Sequence, residues 1–149
     1  MPTAEPHLRN LLIELVSSSH RFNRLVASFG TDAHPRSWLR ALSLLSEHEE
    51  LRISDFARID RCSQPTATAL LGKLTEADLV TRSSDPEDAR AVRVALTDAG
   101  RRYLDSGRSE IADRLTPHFA HLDEAQIGRL TEGLDELRTI LQAQGTPNS

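Results

Sequence analysis

Asp85-Pro86-Glu87-Asp88-Ala89-Arg90-Ala91-Val92-Arg93-Val94-Ala95-Leu96-Thr97-Asp98-Ala99-Gly100 is the stretch whose reading decides the fold. Val92, Val94 and Leu96 alternate with Arg93 and Ala95, the period of two that marks a half-buried strand over Ala91–Leu96. Ser84 to Arg90 is polar and turn-forming, and Leu79–Ser83 before it reads as the partner strand of a hairpin. Thr97 stands where a hydroxyl can accept from an unpaired N–H of the next helix, predicted from about Asp98 to Leu115. Leu96 is expected to bury at the base of the hairpin. Gly100 is expected to let another backbone approach closely.

Two short helices precede the hairpin. Leu51-Arg52-Ile53 is a stub of strand, and Ser54 is a candidate cap for a helix through about Asp60. After a tight turn at Arg61-Cys62, Ser63 is a second candidate cap. Pro65 follows inside the first turn, where its missing N–H costs little. That helix is predicted to run to about Ala77, with Ala67, Leu70, Leu71 and Leu74 facing inward.

Further out, Leu8, Leu11, Leu12, Leu15, Val16, Phe22, Leu25, Val26 and Phe29 fall at helical spacing over 8–29. Gly30 to Pro35 reads as a break, and a second helix from Arg36 to about His48 carries Trp38, Leu39, Leu42 and Leu45. Pro117 is expected to interrupt the helix that begins near Asp98. A last helix, about Asp123 to Leu141, places Ile127, Leu130, Leu134, Leu137 and Leu141 on one narrow seam suited to helix–helix packing between chains. The tail from Gln142 is expected to fray.

Composition narrows the class. In 149 residues, 38% are hydrophobic and only 4% aromatic, so apolar surface has reason to be buried against a partner. No apolar run approaches the roughly 20 residues of a membrane span, and Met1 to Pro6 lacks the basic start and apolar core of a signal peptide. A single cysteine rules out an intrachain disulfide. A cytoplasmic location without membrane attachment is expected. The net charge is −4, but residues 52–108 carry ten Lys/Arg against nine Asp/Glu while the rest carries eight against thirteen. The centre is the less acidic part, without being a basic patch.

The expected architecture is mainly α with a small β-hairpin: a helix-turn-helix followed by a wing, flanked by N- and C-terminal helices. In such an arrangement the first short helix braces the second and props its N-terminus outward. Ser63, Gln64, Thr66 and Thr68 then present small polar groups of the kind that reach base edges in a major groove, and free N–H groups there suit phosphate. The same residues also fit a capped surface helix with an ordinary polar face.

The quoted stretch separates the two. It resembles the multiple-antibiotic-resistance regulator (MarR) family, whose wing reads Asp-x-Arg, five residues, then Leu-Thr-x-x-Gly; Asp88, Arg90, Leu96, Thr97 and Gly100 all match. Ser63-Gln64-Pro65-Thr66 looks like the start of the family's recognition helix, and Leu70 to Leu79, with Lys73 and Leu74, like its end. The resemblance extends over roughly Leu8 to Leu141.

The resemblance implies one domain over 1–149, with the winged helix-turn-helix lobe at 36–100 and dimerisation helices at 8–29 and 101–141. It implies a homodimer on double-stranded DNA, reading a pseudo-palindrome with half-sites about 34–36 Å apart, and usually acting as a repressor. Gln64, Thr66 and Thr68 are then the base-edge candidates, and Ser63 and Lys73 the phosphate candidates. Arg90 is the residue for a narrow minor groove, with Asp88 either holding it extended or pairing with another arginine. Ser83 to Ala91 holds three acids and one base, so Arg90 is expected to carry the wing's contact largely alone. A small aromatic or anionic effector is implied between the dimer helices and the lobe. His20 and Trp38 are its candidate lining, with solvent exposure and core packing their plainer alternatives.

Three other readings have a residue behind them. Cys62 raises a thiol-responsive regulator, although it stands in the turn before the recognition helix, where a small buried hydrophobe is usual. His118 and His121, near Asp123 and Glu124, raise a metal-responsive one, with Pro117 disturbing the geometry. A winged helix that binds only protein is the third. No cofactor or structural metal is expected. An enzyme is not expected: the chain has no glycine-rich phosphate loop, nucleophile elbow or cysteine–histidine pairing at recognisable spacing.

Overall fold

The computed structural model describes residues 4–144. The elements are α1 (Ala4–Ala27), α2 (Arg36–Ser46), β1 (Leu51–Arg52), α3 (Ile53–Asp60), α4 (Gln64–Glu76), β2 (Val80–Ser84), β3 (Val92–Leu96), α5 (Asp98–Phe119) and α6 (Glu124–Gln144). Two units divide inside α5, between Arg114 and Leu115. No helix among the described residues is long and apolar enough to cross a membrane.

In the first unit, one core joins α2, α3, α4, the sheet and the start of α5. Phe56, Leu42, Leu45, Leu71, Leu74, Val80 and Val94 are its fully buried large side chains. An isolated eight-residue helix such as α3 is marginal in water. Burial of Ile53, Phe56 and Ala57 holds it, each large apolar side chain contributing about 1.5–3 kcal/mol. Both helix-turn-helix helices end the same way. Arg61 adopts φ 54° and Cys62 N–H donates to the Ala57 carbonyl at 3.0 Å; Asp78 adopts φ 60° and Leu79 N–H donates to the Leu74 carbonyl at 3.0 Å. These left-handed stops turn the chain sharply with its last carbonyls satisfied.

The sheet has the order β1-β3-β2, antiparallel throughout, with Leu51 opposite Val94 and Val80 opposite Leu96. Thr97 caps α5 as expected, its hydroxyl accepting Gly100 N–H at 2.9 Å while donating to the Asp78 carbonyl at 2.7 Å. Gly100 is fully justified by its surroundings: a Cβ there would lie 2.1 Å from the Leu79 carbonyl oxygen. Leu96 packs against the core but is only partly buried.

Several expectations need correction. Ser54 does not cap α3. The helix starts one residue earlier, at Ile53, and Arg52 takes the cap position without a side-chain bond, because β1 ends there against β3. Pro117 does not interrupt α5, which continues to Phe119. Helix α6 runs past Gln142 to Gln144, and the rest of the tail expected to fray lies outside the described residues. The start of α6 carries a capping box. Asp123 Oδ1 accepts Gln126 N–H at 2.7 Å, and Gln126 Oε1 accepts Asp123 N–H at 2.9 Å.

Both outer helices leave apolar faces uncovered. On α1, Leu8, Leu12, Val16, Phe22 and Leu25 are exposed, Leu25 by 65%. On α6, in the second unit, Leu130 and Leu134 are each 60% exposed.

Candidate nucleic-acid interface

The recognition helix α4 begins with Ser63 as its cap. The hydroxyl accepts Thr66 N–H at 3.2 Å and lies 2.7 Å from Thr66 Oγ1. Ser63 and Thr66 thus bind each other at the exposed helix start. Gln64 and Thr68 are exposed beside them. Lys73 sits in the last turn of α4, about 15 Å along the axis from Ser63 at 1.5 Å per residue. It does not line the cleft between α4 and the wing.

An open cleft of about 340 Å³ lies between the start of α4 and the wing. Gln64 and Thr68 line it from α4, Ser54 from α3, Arg82 from β2, and Arg90 and Val92 from the wing. The structure therefore brings together two of the three base-edge candidates and the wing arginine.

The wing turn is built on Asp85. Its Oδ1 accepts the N–H groups of Glu87 and Asp88 at 2.8 and 3.3 Å, an arrangement typical of an Asx turn. Asp85 N–H donates to the Ala91 carbonyl at 3.0 Å, closing the hairpin. Its Oδ2 accepts from Arg52 Nε at 2.6 Å and from Arg93 Nε at 2.9 Å, and the carboxylate has no solvent exposure. Arg93 also pairs with Glu50. The hydrogen bond from Arg93, then that from Glu87 N–H, and then Arg52 hold the Asp85 carboxyl well below the usual carboxylate range, against the opposing effect of desolvation. Asp85 and Glu50 in turn hold Arg93 firmly charged.

This corrects the charge reading of the wing. Of its three acids, Asp85 is internal and neutralised, and Asp88 Oδ1 accepts the backbone N–H of Arg90 at 3.0 Å. Asp88 thus holds the backbone at Arg90 and forms no ion pair with an arginine among the described residues. Glu87 lies 3.8 Å from Arg52. Arg82 lines the same cleft as Arg90. Arg82 had a signal in the sequence, since it stands two residues after the buried Val80 and so on the same face of β2.

His20 and Trp38 are not brought together. His20 is exposed on α1, whereas Trp38 packs against the core with its ring 5.9 Å from that of Tyr103. A separate cleft of about 310 Å³ is lined by Thr31, His34, Arg36, Leu39 and Ile111 among others. At its edge Glu110 Oε2 accepts from Thr31 Oγ1 at 2.9 Å and meets His34 Nδ1 at 2.8 Å. The Thr31 bond, then that from His34, lowers the Glu110 carboxyl from its ordinary value.

The Cys62 thiol is only partly exposed. Desolvation, and then the nearby Asp60 carboxylate, raise its pKa and keep it in the less reactive protonated form. Among the described residues no three His, Cys, Asp or Glu side chains gather as a metal site.

A short helix braced across a second, with the second one's N-terminus exposed beside a hairpin, defines a winged helix-turn-helix. Residues 36–92 match the model of the MarR family, and this lobe is a MarR-family winged helix-turn-helix. The chain is 28% identical over 102 residues to the uncharacterized HTH-type transcriptional regulator YpoP of Bacillus subtilis, covering 68% of this chain and 72% of that one. It is likewise 28% identical over 117 residues to the HTH-type transcriptional repressor IacR of Pseudomonas putida, covering 78% and 68%. Among solved structures, NadR in complex with 4-hydroxyphenylacetate superposes with a TM-score of 0.60 at 25% identity, over 84% of this chain and 89% of that one. Over these residues the chain is similar to MarR-family transcriptional regulators.

Proposed function

We propose that this chain is a cytoplasmic repressor that binds a pseudo-palindromic operator as a homodimer and is released by a small aromatic or anionic ligand. The observation that carries the DNA reading is the shared cleft. It sets Gln64 and Thr68 at the start of a capped helix opposite Arg90 on a wing. A helix start of this kind fits the major groove, and an arginine on an adjacent wing fits the minor groove beside it. Thr66 is the third base-edge residue, and Ser63 and Lys73 lie toward phosphates.

The uncovered apolar faces of α1 and α6 support the homodimer, because exposed leucines at this density call for a partner. Repression draws on the similarity to the repressor IacR, and a small aromatic acid on the 4-hydroxyphenylacetate in the NadR complex. The cleft beside His34 and Arg36 offers the Arg36 guanidinium to such an acid. His20 and Trp38 remain further candidates for lining the effector site.

The test is a gel shift on DNA immediately upstream of the chain's own gene, repeated at rising salt. Binding should weaken steeply, with a slope of about −0.9 per phosphate neutralised. Arg90→Ala should weaken it further with circular dichroism unchanged. Affinity indifferent to salt and to Arg90 would sink the DNA reading. For the ligand, calorimetry across a panel of aromatic acids should show heat and a loss of DNA affinity.

A further inference from the structure

Arg82 is an arginine in a place meant for an apolar residue. It stands directly opposite Val94, which is completely buried, and two residues from Val80, which is 2% exposed. Residues opposite one another across an antiparallel pair, and residues two apart along a strand, share a face. Arg82 therefore belongs to the face of the sheet that packs on the helices, at the point where that face runs out of core and opens into the cleft. Arginine there fills no core, and among the described residues its guanidinium has no carboxylate or hydrogen-bond partner.

The neighbouring arginines are different. Arg52, which also lines the cleft, is held by Asp85, and Arg93 by Asp85 and Glu50. Among the described residues, the guanidiniums left without a partner in the cleft are those of Arg82 and Arg90. A helix in a major groove and a wing arginine in the adjacent minor groove must straddle the phosphate ridge between those grooves. The cleft between Gln64 and Thr68 on one side and Arg90 on the other is where that ridge has to pass.

We infer that Arg82 is a phosphate-binding residue, which takes the DNA backbone phosphate separating the groove entered by α4 from the groove reached by Arg90. The inference rests on the DNA reading above. The guanidinium matches two phosphate oxygens with paired N–H donors, and it sets register without reading sequence.

The experiment compares full-length wild type, Arg82→Gln, Arg82→Lys and Arg90→Gln by fluorescence anisotropy. The probes are a duplex from immediately upstream of the gene and a scrambled duplex of the same composition, across about 0.05–0.2 M salt. Arg82→Gln should lower the magnitude of the salt slope by about 0.9 per bound protomer. It should weaken binding about tenfold per protomer, by the same factor on both duplexes. Arg82→Lys should keep the slope. Circular dichroism should stay unchanged, since the side chain is exposed and supports no other residue. An Arg82→Gln protein with wild-type slope and affinity, alongside a weakened Arg90→Gln, overturns this inference alone. So does a loss confined to the upstream duplex, which makes Arg82 a reader of bases. Wild type that binds neither duplex in a salt-dependent way overturns the DNA reading as well.

Discussion

The carboxylate of Asp85 and the guanidinium of Arg93, joined at 2.9 Å, tie the turn of the wing to its returning strand. Because Asp85 has its pKa lowered in the folded state, its stabilisation is fully present above the unfolded value near pH 4 and is lost as pH falls through the folded one. Asp85→Asn should therefore lower the thermal midpoint at neutral pH and flatten the loss of stability below about pH 4. Thermal melts of both proteins across that range check this. Parallel acid limbs would mean that Asp85 contributes nothing by its charge.

Gly100 and Gly72 should respond to alanine in opposite directions. A Cβ at Gly100 meets the Leu79 carbonyl oxygen at 2.1 Å, so Gly100→Ala has to push β2 away from α5. The expected cost is about 2–3 kcal/mol, typical of overpacking, or a fall of roughly 4–12 °C in the midpoint. A Cβ at Gly72 meets nothing within 4 Å, and Gly72→Ala should stabilise α4 by about 0.4–1 kcal/mol. Calorimetry of the two variants gives both signs.

The loop from α1 to α2 is latched to α5 through Glu110, which accepts from Thr31 at 2.9 Å and meets His34 at 2.8 Å. The lowered Glu110 pKa means that the latch contributes above the unfolded value, about pH 4.3, and weakens as pH falls below it. Glu110→Gln should speed amide exchange over residues 28–35 about fivefold at neutral pH, the loss of roughly one net hydrogen bond. Unchanged protection there would show that packing of His34 on Tyr103, with ring centroids 4.7 Å apart, suffices by itself.

Gln64→Ala should relax sequence preference by about 1–3 kcal/mol at one base pair while leaving the salt slope in place. Binding selections from a randomised operator, run beside Arg90→Ala, distinguish the two. Equal losses on every sequence would move Gln64 from the base edges to the backbone.

If the apolar faces of α1 and α6 are an interface between two copies, a charge in either should dissociate them. Leu12→Glu and Leu134→Glu replace side chains that are 50% and 60% exposed, so neither should unfold its own unit. Sedimentation velocity should show a dimer for the wild type and a lighter species for each variant. A wild-type monomer would remove the two-fold operator from the proposal.

What was legible in the sequence was what depends on near neighbours. Ser63 and Thr97 cap their helices through bonds three residues on, and both were readable as caps. The strand alternation of Val92 to Leu96 and the inward set Ala67, Leu71 and Leu74 were equally local. Ser54 misled because a good capping residue stood two positions after the true cap, Arg52: pairing of β1 with β3 started the helix before it. Pro117 misled because its helix tolerates it, continuing to Phe119.

The sequence by itself thus determined the order of elements, the family of the lobe and the exposed start of α4, since periodicity and capping act within a few residues. Only the tertiary structure decided the charge of the wing. Asp85 meets Arg52 across 33 positions of chain, and an acid counted against DNA binding proves to be an internal counter-ion. Likewise only the pairing of β2 with β3 sets Arg82 opposite the buried Val94, where the core ends beside the cleft.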